Sequence, residues 1–290
     1  ICFQFLWICS ILIEFNFSDY GHMNMALYEK EKKKLLIELS KLQKWIIAEN
    51  KKIAVVFEGR DTAGKTRSIS TLTKYLIPDF YRLVKLGNPT PNESKKWFKR
   101  YEKHFPKNGE IVFFDRSWYT RALVEATMNY CSKRQYQNFM QKVVGWEQKH
   151  TDNDVQILKF YLSIEKNTQA KRINDRANSP LVYWKISDND FKMLDKWDIF
   201  TLYKEQMFKR TSHNTAPWVV INANNKRIAG LNALRYILNY FQYPNKNLPK
   251  PKDWSVAMNN YEIFINNTKF DKLTYEQYKV LLKLKGNKTV

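Results

Sequence analysis

Five apolar runs separated by amphipathic stretches set the framework of the chain. Ile53-Ala54-Val55-Val56-Phe57 is unbroken and mostly β-branched, the pattern of a strand buried on both faces of a parallel sheet. Runs at 81–86, 110–114, 155–162 and 218–221 repeat that character. Between them apolar positions fall at helical spacing. Over 28–47, Leu35, Leu36, Leu39, Leu42 and Ile46 make one stripe. A helix over 67–77 is stopped by Pro78, and one over 93–104 has Asn92 as its expected cap. Ser132-Lys133-Arg134-Gln135 reads as a capping box opening a helix to about residue 150. Further helices are predicted over 166–177, 188–210 and 226–241, the second with Phe191, Trp197, Phe200 and Tyr203 placed in the core. Strict alternation of strand and helix predicts an α/β fold with three layers, α/β/α, around a five-stranded parallel sheet.

The ends of the chain read differently. Residues 1–17 are apolar, yet they lack a basic leading region, contain Glu14 and fall short of a typical membrane span. We expect residues 1–24 to be a leader outside the folded unit, with the native start at Met23 or Met25. Pro244, Pro249 and Pro251 mark a break near the other end. The expected domain is therefore 25–243, followed by an extension over 244–290 with one helix at 275–285 and no recognisable chemistry.

The loop after the first apolar run carries the first chemistry. Glu58-Gly59-Arg60-Asp61-Thr62-Ala63-Gly64-Lys65-Thr66 fits the phosphate-loop pattern G-x-x-x-x-G-K-[ST], and it stands between a strand and a helix as that motif requires. Backbone N–H groups and a helix N-terminus would there converge on phosphate. The third run ends in Asp115-Arg116-Ser117-Trp118-Tyr119-Thr120-Arg121, where Asp115 takes the strand-end position of a Mg²⁺-holding aspartate. Arg116 and Arg121 would be poor core residues, and a phosphate-lined cleft gives them partners. Arg172 and Arg176 lie four apart on one helix face, with Lys185 just beyond, in a segment expected to form a lid over about 166–190. Asp61 is the unusual member: a carboxylate inside an anion-binding loop requires a cation beside it, either a metal ion or an arginine. A phosphate loop, a strand-end aspartate and a mobile arginine helix are the parts of a phosphoryl-transfer enzyme. Lys65, Arg116, Arg121, Arg172, Arg176 and Lys185 exceed what one triphosphate needs and suit two phosphate chains meeting end to end.

Composition agrees with a polyanionic ligand. Lys+Arg 49 against Asp+Glu 28 leaves a net charge of +21, spread along the chain rather than gathered in one basic arm. Cys2, Cys9 and Cys131 form no metal-binding spacing, which points to a reducing compartment.

These segments together resemble type-2 polyphosphate kinases. The likeness rests on Glu58 to Lys65 with its loop, on Phe114-Asp115-Arg116-Ser117-Trp118-Tyr119 with Arg121, on Pro180 with Trp184-Lys185, and on Ala216-Pro217-Trp218. It spans about 28–243. The resemblance implies a P-loop kinase core with a helical lid. It also implies reversible, Mg²⁺-dependent transfer (Mn²⁺ as a substitute) of the terminal phosphate of inorganic polyphosphate to a nucleoside diphosphate, ADP to ATP or GDP to GTP. A cytoplasmic homo-oligomer, dimer or tetramer, with no nucleic acid or membrane partner, is expected. By that likeness Asp61, Lys65, Asp115, Arg116 and Arg121 are catalytic, and Asp61 and Asp115 hold the metal. Gly59, Arg60, Thr62, Ala63, Gly64 and Thr66 form the phosphate loop, while Arg172, Arg176 and Lys185 close from the lid onto polyphosphate. Val182 and Asn224-Asn225 depart from the usual family pattern and bear on lid affinity and nucleotide preference, while Thr66, which also departs from it, supplies the hydroxyl that ordinary P-loop enzymes place on Mg²⁺. The competing readings are an ATP-dependent nucleoside or nucleotide kinase and, more remotely, a nucleic-acid-binding P-loop ATPase.

Overall fold

The computed structural model describes residues 25–249 and the backbone of 263–265 and 268–270. Its helices are α1 (Met25–Ala48), α2 (Lys65–Thr73), α3 (Pro91–Lys95), α4 (Trp97–Glu102), α5 (Val124–Met128), α6 (Lys133–Thr151), α7 (Lys166–Ala177), α8 (Asp188–Asp195), α9 (Trp197–Thr211) and α10 (Lys226–Tyr240). The strands are β1 (Lys52–Gly59), β2 (Tyr81–Val84), β3 (Ile111–Asp115), β4 (Val155–Ser163), β5 (Trp218–Asn222), β6 (Ile263–Ile265) and β7 (Thr268–Phe270).

The five predicted strands pair in parallel, and β1 lies between β3 and β4. Two short strands from the extension lengthen the sheet, giving the order β2-β3-β1-β4-β5-β7-β6, with β7 parallel to β5 and β6 antiparallel to β7. That addition was not legible, because three-residue strands carry too little alternation to separate from loop. The helix expected at 275–285 and the leader at 1–24 lie outside the described residues.

Alternate strand residues feed two separate cores, as buried parallel strands require. Ile53, Val55 and Phe57 pack with Leu39, Leu42 and Ile46 of α1, Ile69 and Leu72 of α2, and Leu231, Leu234 and Leu238 of α10. Ala54, Val56 and Phe114 face Trp97, Tyr101, Trp118, Phe139, Val143, Phe200 and Met207 on the other side. Three layers result.

Helix boundaries show where local chemistry overrode the pattern. The helix expected from residue 93 begins at Pro91, capped by Thr90 rather than Asn92. Glu93 N–H donates to Thr90 Oγ1 (3.2 Å) and Thr90 N–H donates back to Glu93 Oε2 (2.9 Å). It breaks at Lys96, and the predicted long helix over 188–210 breaks likewise at Lys196, dividing α8 from α9. Phe191 is exposed rather than in the core, whereas Phe200 is buried. The turn at Trp118–Arg121 and the short α5 were not foreseen.

Candidate active site

Because β1 sits between β3 and β4, the chain leaves the sheet in opposite directions on either side of it, and a crevice opens at the strands' carboxyl ends. The phosphate loop fills that crevice. Gly59, at φ 143°, pairs with Leu162 of β4, and a Cβ there would lie 2.5 Å from the Leu162 carbonyl oxygen. Only glycine fits. Gly64, at φ 107°, opens α2 and lies under the Lys226 side chain.

Lys65 folds back over the loop, its Nζ donating to the carbonyls of Gly59 (2.7 Å) and Arg60 (2.9 Å). Burial pushes its pKa down, and the Arg116 charge adds to that, while Asp61, Asp115 and Glu58 oppose. Thr66 Oγ1 donates to Asp115 Oδ2 at 2.5 Å, joining the end of the loop to the end of β3. The cation that Asp61 requires is Arg116, whose Nη2 donates to Asp61 Oδ1. That contact raises the guanidinium pKa against the desolvation around it.

Arg116 stands at φ 69°, a left-handed position costly for a side chain of its size, and its neighbours hold it there. Glu58 accepts from Ser117 N–H (2.7 Å) and Ser117 Oγ (2.8 Å), while Arg116 N–H donates to Phe57 O. Burial raises the Glu58 pKa. Glu58 is a residue that the motif reading quoted but gave no task. Its signal is slight: an acid directly after the unbroken apolar run of β1.

Arg60 turns away from the loop's mouth. Its guanidinium lies 3.4 Å from the Trp197 ring centroid and 4.3 Å from that of Phe200, and Nη2 donates to Trp197 O (2.9 Å) and Thr201 Oγ1 (2.6 Å). Burial lowers its pKa to about 10. Arg60 thus fastens the loop to α9. Arg121 is also engaged elsewhere: it donates to Ser94 O (2.9 Å), pairs with Glu125 (3.0 Å) and stacks on Trp97 (4.0 Å). It lines a cavity of about 480 Å³ with Lys95, Phe98, Arg134 and Asn138. The loop carbonyls of Asp61 and Thr62 accept from Gln169 (3.2 Å) and Arg172 (3.3 Å) of α7, so Arg172 docks on the loop itself. Lys185 is exposed and lies over the Trp184 ring, itself 68 % exposed, on the outer part of the predicted lid.

A basic pocket beside the loop completes the site. Arg67, Arg172, Asn224, Asn225, Lys226 and Arg227 line a space of about 270 Å³. Burial brings the Lys226 pKa down to about 8, and Arg172, Arg176 and Arg67 add to the fall, with Asp175 alone acting against it. Lys226, Arg67 and Arg227 were missed, since nothing in a lone basic residue signals which loop it will face. Asn224 and Asn225 serve the backbone: Asn224 Oδ1 accepts from Glu165 N–H, and Asn225 caps α10.

A parallel sheet carrying this loop, a strand-end aspartate wired to it and a helical segment docked over it define a P-loop kinase. The family model described as "Polyphosphate kinase 2 (PPK2)" matches residues 22–249, and the chain belongs to that family. It is 43% identical over 225 residues to the GDP-polyphosphate phosphotransferase of Mycolicibacterium smegmatis, covering 77% of this chain and 80% of the relative. It is 39% identical over 236 residues to ADP-polyphosphate phosphotransferase 1 of Rhizobium meliloti, covering 80% and 79%. The crystal structure of polyphosphate kinase 2 from Arthrobacter aurescens TC1 aligns with a TM-score of 0.68 at 27% identity, over 78% of this chain and 82% of that one.

Proposed function

We propose that this chain transfers the terminal phosphoryl group of inorganic polyphosphate to a nucleoside diphosphate, ADP or GDP, and runs the same step in reverse. The observation that carries the reading is the crowding of Arg67, Arg172, Arg176, Lys226 and Arg227 beside a phosphate loop that already has its own lysine. Like charges held together at partial burial are unfavourable until an anion joins them, and their number suits a donor with many charges. The relatives' names agree.

In the step, an oxygen of the acceptor's terminal phosphate attacks the donor's terminal phosphorus. The bond to the bridging oxygen breaks, and the shortened polyphosphate leaves with that electron pair. Lys65 releases its two carbonyls to hold phosphoryl oxygens, Arg116 neutralises charge that builds at the point of transfer, and the α7 arginines with Lys226 hold the donor. Arg121 reaches the reaction through the turn it braces rather than by contact, on its present partners.

The donor set fits Mg²⁺. Asp61, Asp115 and the Thr66 hydroxyl offer hard oxygen atoms, the ligand type that Mg²⁺ takes alongside waters and substrate oxygens. Asp61 and Asp115 would hold it, and when bound it supplies neutralisation of phosphate charge at the transferring group.

The test offers polyphosphate with AMP, ADP and GDP separately and no other phosphate donor. ATP from ADP, or GTP from GDP, is the expected product. No triphosphate from either, with ATP serving as donor instead, would return the chain to the nucleotide-kinase reading.

A further inference from the structure

Behind the Arg116 turn, on the side away from the phosphate loop, lies a charge pair that the reaction does not touch. Glu147 of α6 and Lys159 of β4 are both fully buried, with Lys159 Nζ 2.7 Å from Glu147 Oε2. Neither is spare. Glu147 Oε1 accepts from Trp118 Nε1 (2.9 Å), and Oε2 also meets His213 Nε2 (2.8 Å). Lys159 Nζ donates to Tyr119 Oη (3.1 Å) and to the Thr211 carbonyl (2.9 Å). Trp97 Nε1 donates to the Trp118 carbonyl at 2.8 Å.

Trp118 and Tyr119 immediately follow Arg116 and Ser117, so the turn is held from two directions. Glu58 grips Ser117 from the loop side, and the buried pair grips the next two side chains from the core side. A core built only for stability has no need of this arrangement, since apolar residues of similar volume in place of a buried ion pair are often neutral or better. Apolar residues would, however, leave the indole N–H and the phenol without their fixed partners, and the turn would lose its orientation. Arg116 has a left-handed backbone that nothing local favours, and it is the group most exposed to that loss.

We propose that Glu147 and Lys159 are positioning residues of this kinase: through Trp118 and Tyr119 they hold the Arg116 turn in the conformation that sets its guanidinium against Asp61. The inference rests on the role given to Arg116 under the proposed function. The pair never meets substrate.

The test is a cycle between this pair and Arg116, read as kcat and KM with polyphosphate and ADP. The variant Glu147→Leu/Lys159→Met removes both charges together and leaves no orphaned ion. It is expected to unfold cooperatively, to keep its KM within about twofold, and to lose about tenfold or more in kcat, because a small displacement of a group at the transfer point is felt in the chemical step. In an Arg116→Lys background the same pair of changes should cost less than about twofold further, the mark of residues acting through one another. Parental kcat in a folded variant, or full losses that multiply in the Arg116→Lys background, overturns the inference. Should the double variant fail to fold, Tyr119→Phe, which keeps the ring and removes the hydroxyl that meets Lys159, carries the same cycle with the same criteria. Arg116→Lys alone reports on the underlying reading: if its kcat is parental, the role of Arg116 falls and the inference with it. An impaired Arg116→Lys beside an unaffected pair variant rejects positioning alone.

Discussion

At the scale of single residues, the site divides between groups that can be removed without harm to the fold and groups that cannot. Lys65 donates its hydrogen bonds to two carbonyls of its own loop, and Asp115 is joined to Thr66 by one hydrogen bond. Lys65→Ala and Asp115→Asn should therefore abolish transfer, with losses of about a thousandfold or more in kcat/KM, while circular dichroism and thermal unfolding stay close to parental. Activity surviving in either variant would remove that residue from the site. Lys226 yields a prediction in pH. Its folded pKa of about 8 lies below that of the unfolded chain, so its charged form opposes folding, and stability from this group rises as pH climbs through about 8. Anion binding runs the other way: as the ammonium is lost, KM for polyphosphate should rise between about pH 7 and about pH 9, and Lys226→Ala should flatten that rise. A steady KM across the range in the parental enzyme would place Lys226 outside the donor's path.

At the scale of elements, the loop is a component shared by several neighbours rather than a free cradle. Arg60 ties it to α9, Gln169 and Arg172 tie it to α7, and Gly59 seats it against β4. Gly59→Ala should be the most damaging small change in the chain. A methyl group 2.5 Å from a strand carbonyl must push β1 from β4, at a cost of about 1–3 kcal/mol or more, read as a lower thermal midpoint together with lost activity. A parental midpoint would contradict the close approach. Elements of this kind also mark the limit of what the residues revealed beforehand. The five strands β1 to β5 and the loop were legible because apolar runs and a spaced Gly-Lys-Thr pattern are local signals. The pauses at Lys96 and Lys196 were not, since the apolar spacing continues across them and tertiary packing decides where the helix stops. The tasks of Arg60 and Arg121 were hidden for a related reason: a motif shows that an arginine stands in a loop, but whether it faces phosphate or an indole depends on a helix far along the chain.

At the scale of the whole molecule, a charge of +21 creates an attractive field for a polyanion well before contact. Salt screens such a field over about 8 Å at physiological strength. Raising ionic strength from about 0.05 M to about 0.5 M should increase KM for long polyphosphate more steeply than for tripolyphosphate, because a longer chain engages more of the field. Equal salt slopes for the two donors would confine recognition to the immediate site. Among the described residues no helix is long and apolar enough to cross a membrane.

The hairpin of β6 and β7 bears on how the protein can be handled. Val219 and Val220 of β5 pair with Lys269 and Phe270 of β7, and β6 completes the margin. A chain cut after Pro249 would keep every residue of the phosphate site and leave β5, all five of its positions buried, as an uncovered border with unanswered amide and carbonyl groups. Such a border invites a second molecule to add its own strand. The shortened enzyme should sediment as concentration-dependent aggregates even where its active site is intact, and a single species at every concentration would show that this border needs no cover.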